Sequence, residues 1–414
     1  MAPALKGSHF NQPCLDCKFP IHVAVDLLSN PQWLTCPNCG YRENRLDESK
    51  RQPGERVWID HWAKVFNRLE RWDSVAFHHR FDQESGSRRS RLAVKRVIGL
   101  PGEQIGVRGG EIYADGILVR KSMDQFREMA ILLFDTYYRP ELTKGIPDRF
   151  EPVGSRSYWK RLATGYQFED PKRRTSTSQP RSLSELDQLL YQHWACMVNQ
   201  VPQKARSANS LVLDHYCYNH GLSRGQLLPV KDLLFKCSLT PGDRGLLTFS
   251  LFSGGDCFEM WLDFDAERFE LRRNTNSIVS GKFLHGLKRK SLDLEFAVVD
   301  QQVMFVINGR TWLRHLFSAG KVTKDATVAG LDAEHPLMIA AEHLEVQVHR
   351  IQLYRDIYWS GPAHTEQEWR TTSRLHPNEY LLVGDNVPVS EDCRHWGRGI
   401  MREAILGKVL RNRR

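Results

Sequence analysis

The sequence has no long apolar run. The longest runs, such as residues 130–134 and 296–299, are far shorter than the roughly 18 residues that a membrane span needs. We therefore expect no transmembrane helix or signal peptide within these 414 residues. Nor does it have the low hydrophobic content of a disordered protein, because 41% of its 414 residues are hydrophobic and 26% are charged. A chain of this length predicts about two to three globular domains.

Acidic residues are too few to balance the basic ones. Lysine and arginine number 58 against 49 aspartates and glutamates, which gives a net charge of +9. This excess permits an acidic partner such as nucleic acid or an anionic membrane surface, but it selects neither. The basic runs at 88–96 and 172–181 do not alternate with aromatic residues as a base-stacking platform would. We therefore expect no nucleic-acid partner.

Cysteine is sparse except near the N-terminus. Four of the nine cysteines form the pairs Cys14-x2-Cys17 and Cys36-x2-Cys39, with 18 residues between the pairs. This spacing is typical of a zinc ribbon, in which four thiolates bind one ion tetrahedrally. Two redox pairs or two disulfides are the alternatives. Four cysteine ligands leave no open coordination position, so we expect a structural zinc ion and no catalytic metal.

Short strand-like segments dominate the rest of the chain and predict a mainly β fold. After the ribbon of residues 10–50, a block over 51–125 alternates β-branched segments with Pro-Gly, Gly-Gly and Asp-Gly turns, which favours an antiparallel sheet or barrel. Residues 126–225 have a looser pattern and are interpreted as a variable connection. Strand patterns then recur about every twelve residues over 226–360, with a hairpin signal at Asn308-Gly309, and predict a two-sheet sandwich.

Adjacent cations interrupt an apolar, strand-like segment at Lys95 and Arg96. Because side chains alternate across a strand, one of the two is expected to point toward the buried face. Desolvation lowers the pKa of a lysine from its ordinary value of about 10.4, and a neutral lysine can act as a general base. The alternative is an edge-strand lysine whose ammonium group reaches solvent.

The C-terminal segment, 361–414, contains a dense polar loop over residues 384–397. Its composition suits a tight turn followed by an internal ion pair that fixes the loop. The turn residues are Gly384, Asp385 and Asn386, and the ion-pair residues are Asp392 and Arg394. On composition alone, a purely structural loop is the alternative.

Together these segments resemble the type I signal peptidase (leader peptidase) family of membrane-bound serine-lysine peptidases. The similarity covers about residues 54–121 and 376–414, and its motifs keep the family's order: ERVWID at 55–60, RWDSVAF at 71–77, VKRVIGLPGE at 94–103, EIYADG at 111–116 and the 384–397 loop. The resemblance implies that Lys95 is the general base and that Ser390 hydrogen-bonds to it and orients it. It also implies that Asp392 and Arg394 brace the site, with Gly384, Asp385 and Asn386 in support.

The sequence departs from the family's pattern at the nucleophile, which lies in a Ser-Met-x-Pro-Thr-Leu motif. The chain begins Met1-Ala2-Pro3-Ala4-Leu5, which is that motif from its methionine onward with Ala4 in place of threonine. We interpret residues 1–9 as a remnant of the motif and expect the serine immediately before Met1. Coincidence over these few residues is the alternative. Without a serine, the chain as given is expected to be inactive.

The resemblance completes the expected architecture. It implies a signal-peptidase-like antiparallel β catalytic domain. The zinc ribbon before this domain and the β-sandwich that interrupts it look like planctomycete-type members of the family. The sandwich resembles concanavalin- or laminin-G-like folds at the level of strand pattern. The implied activity is serine-type endopeptidase cleavage of signal peptides from exported preproteins. The implied location is the bacterial cytoplasmic membrane, with the catalytic domain on the extracytoplasmic side and in contact with the membrane surface.

The rival hypothesis is a catalytically inactive relic that binds a partner through the sandwich. Trp261 and Trp312 are the candidates for contact with a carbohydrate or protein ligand there. Core packing is the alternative role for each of them.

Overall fold

The structure, a computed structural model, is mainly β and confirms the predicted fold class. It describes residues 4–26, 33–66, 68–82, 88–141, 148–170, 182–194, 210–219, 227–282, 287–319, 330–362, 364 and 368–410, without the side chains of residues 80–91. None of the helices in these ranges is long and apolar enough to cross a membrane.

The N-terminal ribbon contains five short strands: β1 (His9–Pro13), β2 (Pro20–Ala24), β3 (Trp33–Leu34), β4 (Asn44–Arg45) and β5 (Arg51–Gln52). β1 lies between β2 and β5 in one sheet, and β3 pairs with β4. The residue after each cysteine pair, Lys18 or Gly40, adopts a left-handed φ of 65° or 78°. Its N–H donates to the carbonyl of the first cysteine of the pair, Cys14 or Cys36. Both pairs therefore form the same tight turn.

The next elements build most of two sheets. They are β6 (Trp58–Asp60), α1 (His61–Val65), β7 (Ser74–Asp82), β8 (Arg88–Gly99), β9 (Ile105–Arg108), β10 (Glu111–Ala114), β11 (Ile117–Leu118) and α2 (Met123–Met129). β7 and β8 form a long antiparallel hairpin in which Lys95 lies opposite Val75. α2 begins with a capping box between Ser122 and Gln125, and its Phe126 packs on the outer face of the larger sandwich sheet.

The middle of the chain forms a sandwich of two antiparallel sheets. Its strands are β12 (Ile131–Asp135), β13 (Phe150–Pro152), β14 (Trp159–Arg161), β15 (Gly165–Glu169), β16 (Asp187–Tyr191), β17 (Leu233–Pro241), β18 (Leu246–Ser253), β19 (Asp256–Asp263), β20 (Arg268–Arg273), β21 (Asn276–Lys282), β22 (Leu292–Val299), β23 (Gln302–Ile307), β24 (Arg310–Leu316), β25 (Leu337–Glu342) and β26 (Glu345–Arg355). The larger sheet has the order β14-β15-β26-β17-β22-β23-β24, with β12 beside β26, and the smaller has the order β13-β16-β25-β18-β19-β20-β21. Apolar side chains of both inner faces, such as Phe235 and Phe249, form the largest core of the described residues.

The sandwich begins earlier in the sequence than the strand pattern indicates. Strands β12 to β16 lie within residues 126–225, the segment interpreted as a variable connection, and they pair with strands of both sandwich sheets. The pattern misses them because each is only three to five residues long. The interpretation of 126–225 as a connection is therefore corrected for these strands, while the domain boundaries stay a prediction.

The last elements return to the sheets that precede the sandwich. They are β27 (Glu368–Arg370), β28 (Glu379–Val383), α3 (Cys393–Trp396), β29 (Ile400–Met401) and β30 (Ile405–Leu410). β27 joins β9 at the edge of a four-stranded sheet, and the six-stranded sheet has the order β29-β28-β8-β7-β30-β6. A second core, which includes Phe77, Val97 and Leu382, holds these elements together. β8 therefore lies between a strand that precedes the sandwich and one that follows it.

Candidate active site and metal centre

Lys95 lies on β8 and faces the 384–397 loop. Its Nζ donates a hydrogen bond to Ser390 Oγ at 2.7 Å, although the two residues are 295 positions apart in the sequence. The side chain is half-buried. Burial lowers the pKa of Lys95 below its ordinary value of 10.5, and the charge of Asp392 offsets only part of this effect. The structure thus brings Lys95 and Ser390 into hydrogen-bond contact.

Arg96, the next residue on β8, points to the opposite face and is the buried cation of the pair, 1% exposed. Its guanidinium group donates two hydrogen bonds to the Asp385 carboxylate, at 2.7 and 2.6 Å, and a third to the carbonyl of Trp72 at 2.6 Å. Burial opposes the charge of Arg96, but the charge and hydrogen bonds of Asp385 outweigh burial and raise its pKa. This ion pair anchors one end of the 384–397 loop to β8.

Asp392 and Arg394 form the second ion pair of the loop. Arg394 donates from Nε and one terminal nitrogen to the two carboxylate oxygens of Asp392, at 2.8 and 2.9 Å. Asp392 also caps α3 by accepting from the N–H of Arg394. Burial alone would raise the pKa of Asp392, but His395 and Arg394 outweigh burial and hold that pKa well below its usual range. Asp392 is therefore a fixed negative charge next to Lys95.

Gly384 lies at the point where the loop approaches Lys95. Its N–H donates to Asp392 Oδ2 at 3.0 Å. A β-carbon at this position would lie 2.2 Å from Ser390 Oγ and 3.1 Å from Lys95 Nζ. Glycine is required here because a larger residue would push Ser390 away from the lysine.

Asn386 and two residues from far upstream complete the loop's contacts. Asn386 and Asn219 exchange side-chain hydrogen bonds at 2.9 and 2.6 Å, and Tyr216 Oη donates to the carbonyl of Asp385 at 2.6 Å. Sequence analysis missed Tyr216 and Asn219, because isolated polar residues in a turn-rich segment carry no recognisable signal. The remnant of the nucleophile motif, Met1, Ala2 and Pro3, lies outside the described residues.

The four N-terminal cysteines form a buried cluster. Their sulfur atoms all lie within 4.8 Å of one another. Cys14 Sγ is 3.8 Å from Cys39 Sγ, and Cys17 Sγ is 3.6 Å from Cys36 Sγ. Four sulfurs bound tetrahedrally about 2.3 Å from one ion lie about 3.8 Å apart. The cluster therefore has the dimensions of a four-thiolate metal site.

The two tryptophans singled out for ligand binding both pack against apolar residues. Trp261 is buried, 4% exposed, and its Nε1 donates to Glu259. Trp312 is half-buried and packs against the main sandwich core. These positions match the alternative role of core packing.

Comparison with known proteins finds a family match for part of the chain. A family model described as "Signal peptidase, peptidase S26" matches residues 47–150. This match supports the signal peptidase I family, and with it a serine peptidase of that type. No curated protein matches the chain.

Several solved structures are similar to this chain. Galectin LEC-6 from Caenorhabditis elegans is 15% identical, with 30% of this chain and 83% of that chain covered and a TM-score of 0.23. The carbohydrate-binding module CBM66 from Bacillus subtilis is 9% identical, with 49% and 93% covered and a TM-score of 0.28. A protein of unknown function with a galectin-like fold, also from Bacillus subtilis, is 8% identical, with 55% and 97% covered and a TM-score of 0.32.

Proposed function

We propose that the chain provides the catalytic base of a signal peptidase I-like serine endopeptidase. The observation that carries the proposal is the 2.7 Å hydrogen bond between Lys95 Nζ and Ser390 Oγ, made by a lysine whose pKa burial lowers. The family match over 47–150 includes this lysine. In the proposal Lys95 is the general base, Ser390 orients its amine, and the Asp392–Arg394 pair braces the loop.

The proposed reaction takes its nucleophile from the serine that the motif predicts immediately before Met1. Neutral Lys95 accepts the hydroxyl proton while the serine oxygen attacks the carbonyl carbon of the scissile peptide bond. The lysine ammonium then protonates the leaving amine as the C–N bond breaks, which leaves an acyl-enzyme ester. A water molecule gives a proton to Lys95 and attacks the ester, and that proton passes to the departing serine oxygen. The serine and the neutral lysine are thereby restored.

Signal peptides of exported preproteins, cleaved after a small residue, are the substrates that the family match favours. We place the reaction at the bacterial cytoplasmic membrane, on its extracytoplasmic side. An alternative partner, a carbohydrate or protein bound by the sandwich, stays a prediction without support from Trp261 or Trp312.

An exposed aromatic edge supports contact with a membrane surface. Trp58, Trp62 and Phe66 are 73%, 66% and 57% exposed, and the rings of Trp62 and Phe66 stack 5.7 Å apart. They lie on or beside β6 and α1, about three strand spacings, or roughly 14 Å, across the sheet from β8. Aromatic rings with a nearby cation such as Arg68 suit the headgroup region of an anionic bilayer. The double variant Trp58→Ala/Trp62→Ala should sediment less with vesicles of anionic lipid.

We also propose that the ion held by the cysteine cluster is zinc in a structural role. Four thiolates are a donor set that favours zinc, and they leave no position for water or substrate. The ion would link the two turns of the ribbon and supply free energy for its folding.

The test of the peptidase proposal is cleavage of a fluorogenic peptide that spans a signal-peptide cleavage site. The chain with one serine added before Met1 should cleave the peptide, and the chain with alanine added there should not. Lys95→Met should abolish cleavage by the serine-extended chain, and Ser390→Ala should slow it less. Lys160→Met is the control, because this lysine of β14 is 69% exposed. Failure of the serine-extended chain to cleave, or full activity of Lys95→Met, would instead favour the inactive binding protein.

A further inference from the structure

A line of three buried polar side chains lies beside the candidate active site. Ser360 Oγ is 2.9 Å from His364 Nδ1, and His364 Nε2 is 2.8 Å from Asp214 Oδ2. Each of the three residues is 1% exposed. None belongs to a motif recognised in the sequence, and all lie outside the family match over 47–150.

The three residue types are those of a serine hydrolase triad, but their burial argues against that chemistry. A catalytic serine must reach the carbonyl carbon of a substrate, whereas the Ser360 hydroxyl lies inside the protein. The second carboxylate oxygen of Asp214 accepts from the N–H of Leu228 at 2.8 Å. These contacts hold separate chain segments together.

The line leads to the Asp392–Arg394 pair. One terminal nitrogen of Arg394 donates to the carbonyl oxygens of Ser360 and Gly361, at 2.9 and 3.4 Å. Arg394 binds Asp392 through Nε and its other terminal nitrogen, which also donates to the carbonyl of Val387 at 3.4 Å. Asp392 in turn accepts from the N–H of Gly384. A continuous series of contacts therefore leads from Asp214 to the peptide that lies against Lys95.

We infer that His364, held by Asp214, is a positioning residue for the candidate active site. Its contact with Ser360 fixes the two carbonyl groups that Arg394 binds, and Arg394 thereby holds Asp392 and Gly384 in place. The consequence for catalysis rests on the proposed function, whereas the positioning itself can be measured without it. Arg394 is buried, so losing its carbonyl partners would leave costly unpaired donors.

The segment that provides Asp214 contacts the site a second time. Tyr216 and Asn219 bind Asp385 and Asn386 through the hydrogen bonds described above. Residues 210–219 lie between the two segments that resemble signal peptidases, 54–121 and 376–414. The part of the chain between these segments therefore supplies part of the support for the 384–397 loop.

Release of Arg394 has a predictable effect on Lys95. The charge of Arg394 lowers the pKa of Lys95, whereas Asp392, Cys393 and Asp385 raise it. His79, on the neighbouring strand β7, also interacts electrostatically with Lys95. If Arg394 moves away, the pKa of Lys95 rises, and a higher pH is needed to produce the neutral amine.

The first experiment measures backbone hydrogen exchange in the full chain. His364→Ala should speed exchange of the Gly384 N–H and of residues 390–396 by about tenfold, the effect of losing one buried hydrogen bond. His335→Ala is the matched control, since His335 pairs with Asp332 at 2.9 Å within the sandwich. Asp214→Asn, which keeps the size of the side chain, should speed the same amides to a smaller extent.

The second experiment records the pH profile of peptide cleavage by the serine-extended chain. His364→Ala should shift its rising limb to higher pH by about one unit, because the Arg394 cation moves away from Lys95. His364→Gln, which keeps one hydrogen-bonding group, should restore part of the shift. A fluorophosphonate probe should not label Ser360 in any of these chains.

The outcomes separate the two claims. If the serine-extended chain does not cleave, the proposed function fails, and hydrogen exchange still decides the positioning role. Unchanged exchange in the 384–397 loop of both His364→Ala and Asp214→Asn would overturn that role. If His364→Ala does not fold, Asp214→Asn decides: acceleration confined to the loop supports the inference and no acceleration contradicts it. Labelling of Ser360 would overturn the inference in favour of a second nucleophile.

Discussion

At the scale of single residues, the contacts of Gly384 give a sharp prediction. An added β-carbon would meet Ser390 Oγ at 2.2 Å, so Gly384→Ala must displace the hydroxyl group that is hydrogen-bonded to Lys95. We expect kcat/KM of the serine-extended chain to fall about 100-fold, the cost of misplacing a catalytic group by about 1 Å. Gly106→Ala is the control, because the atom nearest to its β-carbon would be the carbonyl oxygen of Trp369, at 3.7 Å. Equal activity of the two variants in the peptide assay would contradict the geometry.

Lys95 also makes stability depend on pH. Burial lowers its folded-state pKa below the unfolded value of 10.5, so the folded protein binds this proton less tightly than the unfolded chain does. The resulting free-energy cost to folding is greatest at pH values below the folded-state pKa. It decreases as the pH rises through that pKa and is zero above the unfolded-state pKa. Lys95→Met removes this cost. Its melting temperature should therefore exceed that of the parent chain at neutral pH.

Thermal melts over a pH series check this prediction. The advantage of Lys95→Met should shrink as the pH approaches about 10. Lys160→Met, which removes an exposed lysine, should show no such trend. A melting temperature of Lys95→Met below that of the parent chain at neutral pH, with a deficit that shrinks as the pH rises, would mean that folding raises the pKa of Lys95.

Sequence analysis identifies some residues of the candidate site and misses others. Alternation along a strand predicts one buried cation at positions 95 and 96, and the structure shows that it is Arg96. The partner of Lys95 cannot be derived from local pattern, because 295 positions separate it from Ser390. Only the resemblance to signal peptidases connects them. His364 and Asp214 have neither kind of signal, since their contacts depend on how distant segments pack.

At the scale of elements, the ribbon gives a prediction about metal. Cys36→Ser removes one of four clustered sulfurs, so protein purified without chelator should fall from about one equivalent of zinc to nearly none. Cys237→Ala, in the sandwich, is the control and should keep its metal. Elemental analysis measures both. Unchanged zinc content in Cys36→Ser would show that the cluster is not the metal site.

Loss of the ion should also release the ribbon from the sandwich. Asn38, in the second cysteine turn, accepts from the N–H of Asp135 on β12 at 2.8 Å and donates to the carbonyl of Tyr138 at 2.5 Å. These contacts require the turn to be formed. Hydrogen exchange near Asp135 should therefore increase in Cys36→Ser.

The strand predictions succeed where the local signal is strong. Asn308 and Gly309 adopt φ angles of 50° and 76° and join Ile307 to Arg310 across a two-residue turn, as the Asn-Gly signal predicts. Strands β12 to β16 have no such signal, and partners provided by β25 and β26 select their extended conformation. That a fragment of residues 226–360 folds alone stays a prediction, and such a fragment would lack these five strands.

At the scale of the whole molecule, a buried ion cluster joins the sandwich to the sheets around it. Lys121 Nζ lies 2.6 Å from Asp300 and 2.9 Å from Asp356, and 4.9 Å from the centre of the Trp72 ring. Lys121 precedes the sandwich, Asp300 lies between β22 and β23, Asp356 follows β26, and Trp72 precedes β7. Burial opposes the charge of Lys121, but the two aspartates outweigh burial and raise its pKa. The cluster therefore joins the segments through which the chain enters and leaves the sandwich.

Lys121→Met would leave two buried carboxylates without their cation. We expect the free energy of unfolding to fall by about 3–5 kcal/mol, the usual cost of breaking a buried ion pair from one side. Lys408→Met is the control, because its pair with Asp73 is partly exposed and should contribute about 1 kcal/mol or less. Denaturant unfolding compares the two. Equal effects would show that the cluster does not join the parts of the molecule.

The central claim, that Lys95 is a general base, is tested most directly by the pH dependence of kcat/KM for the serine-extended chain. This profile reports the pKa of the essential base in the free enzyme. We expect a single limb that rises with pH and levels off below 10.5, the ordinary pKa of lysine, because burial lowers the pKa of Lys95. A rate that does not change with pH, or the same rising limb in Lys95→Met, would contradict the account.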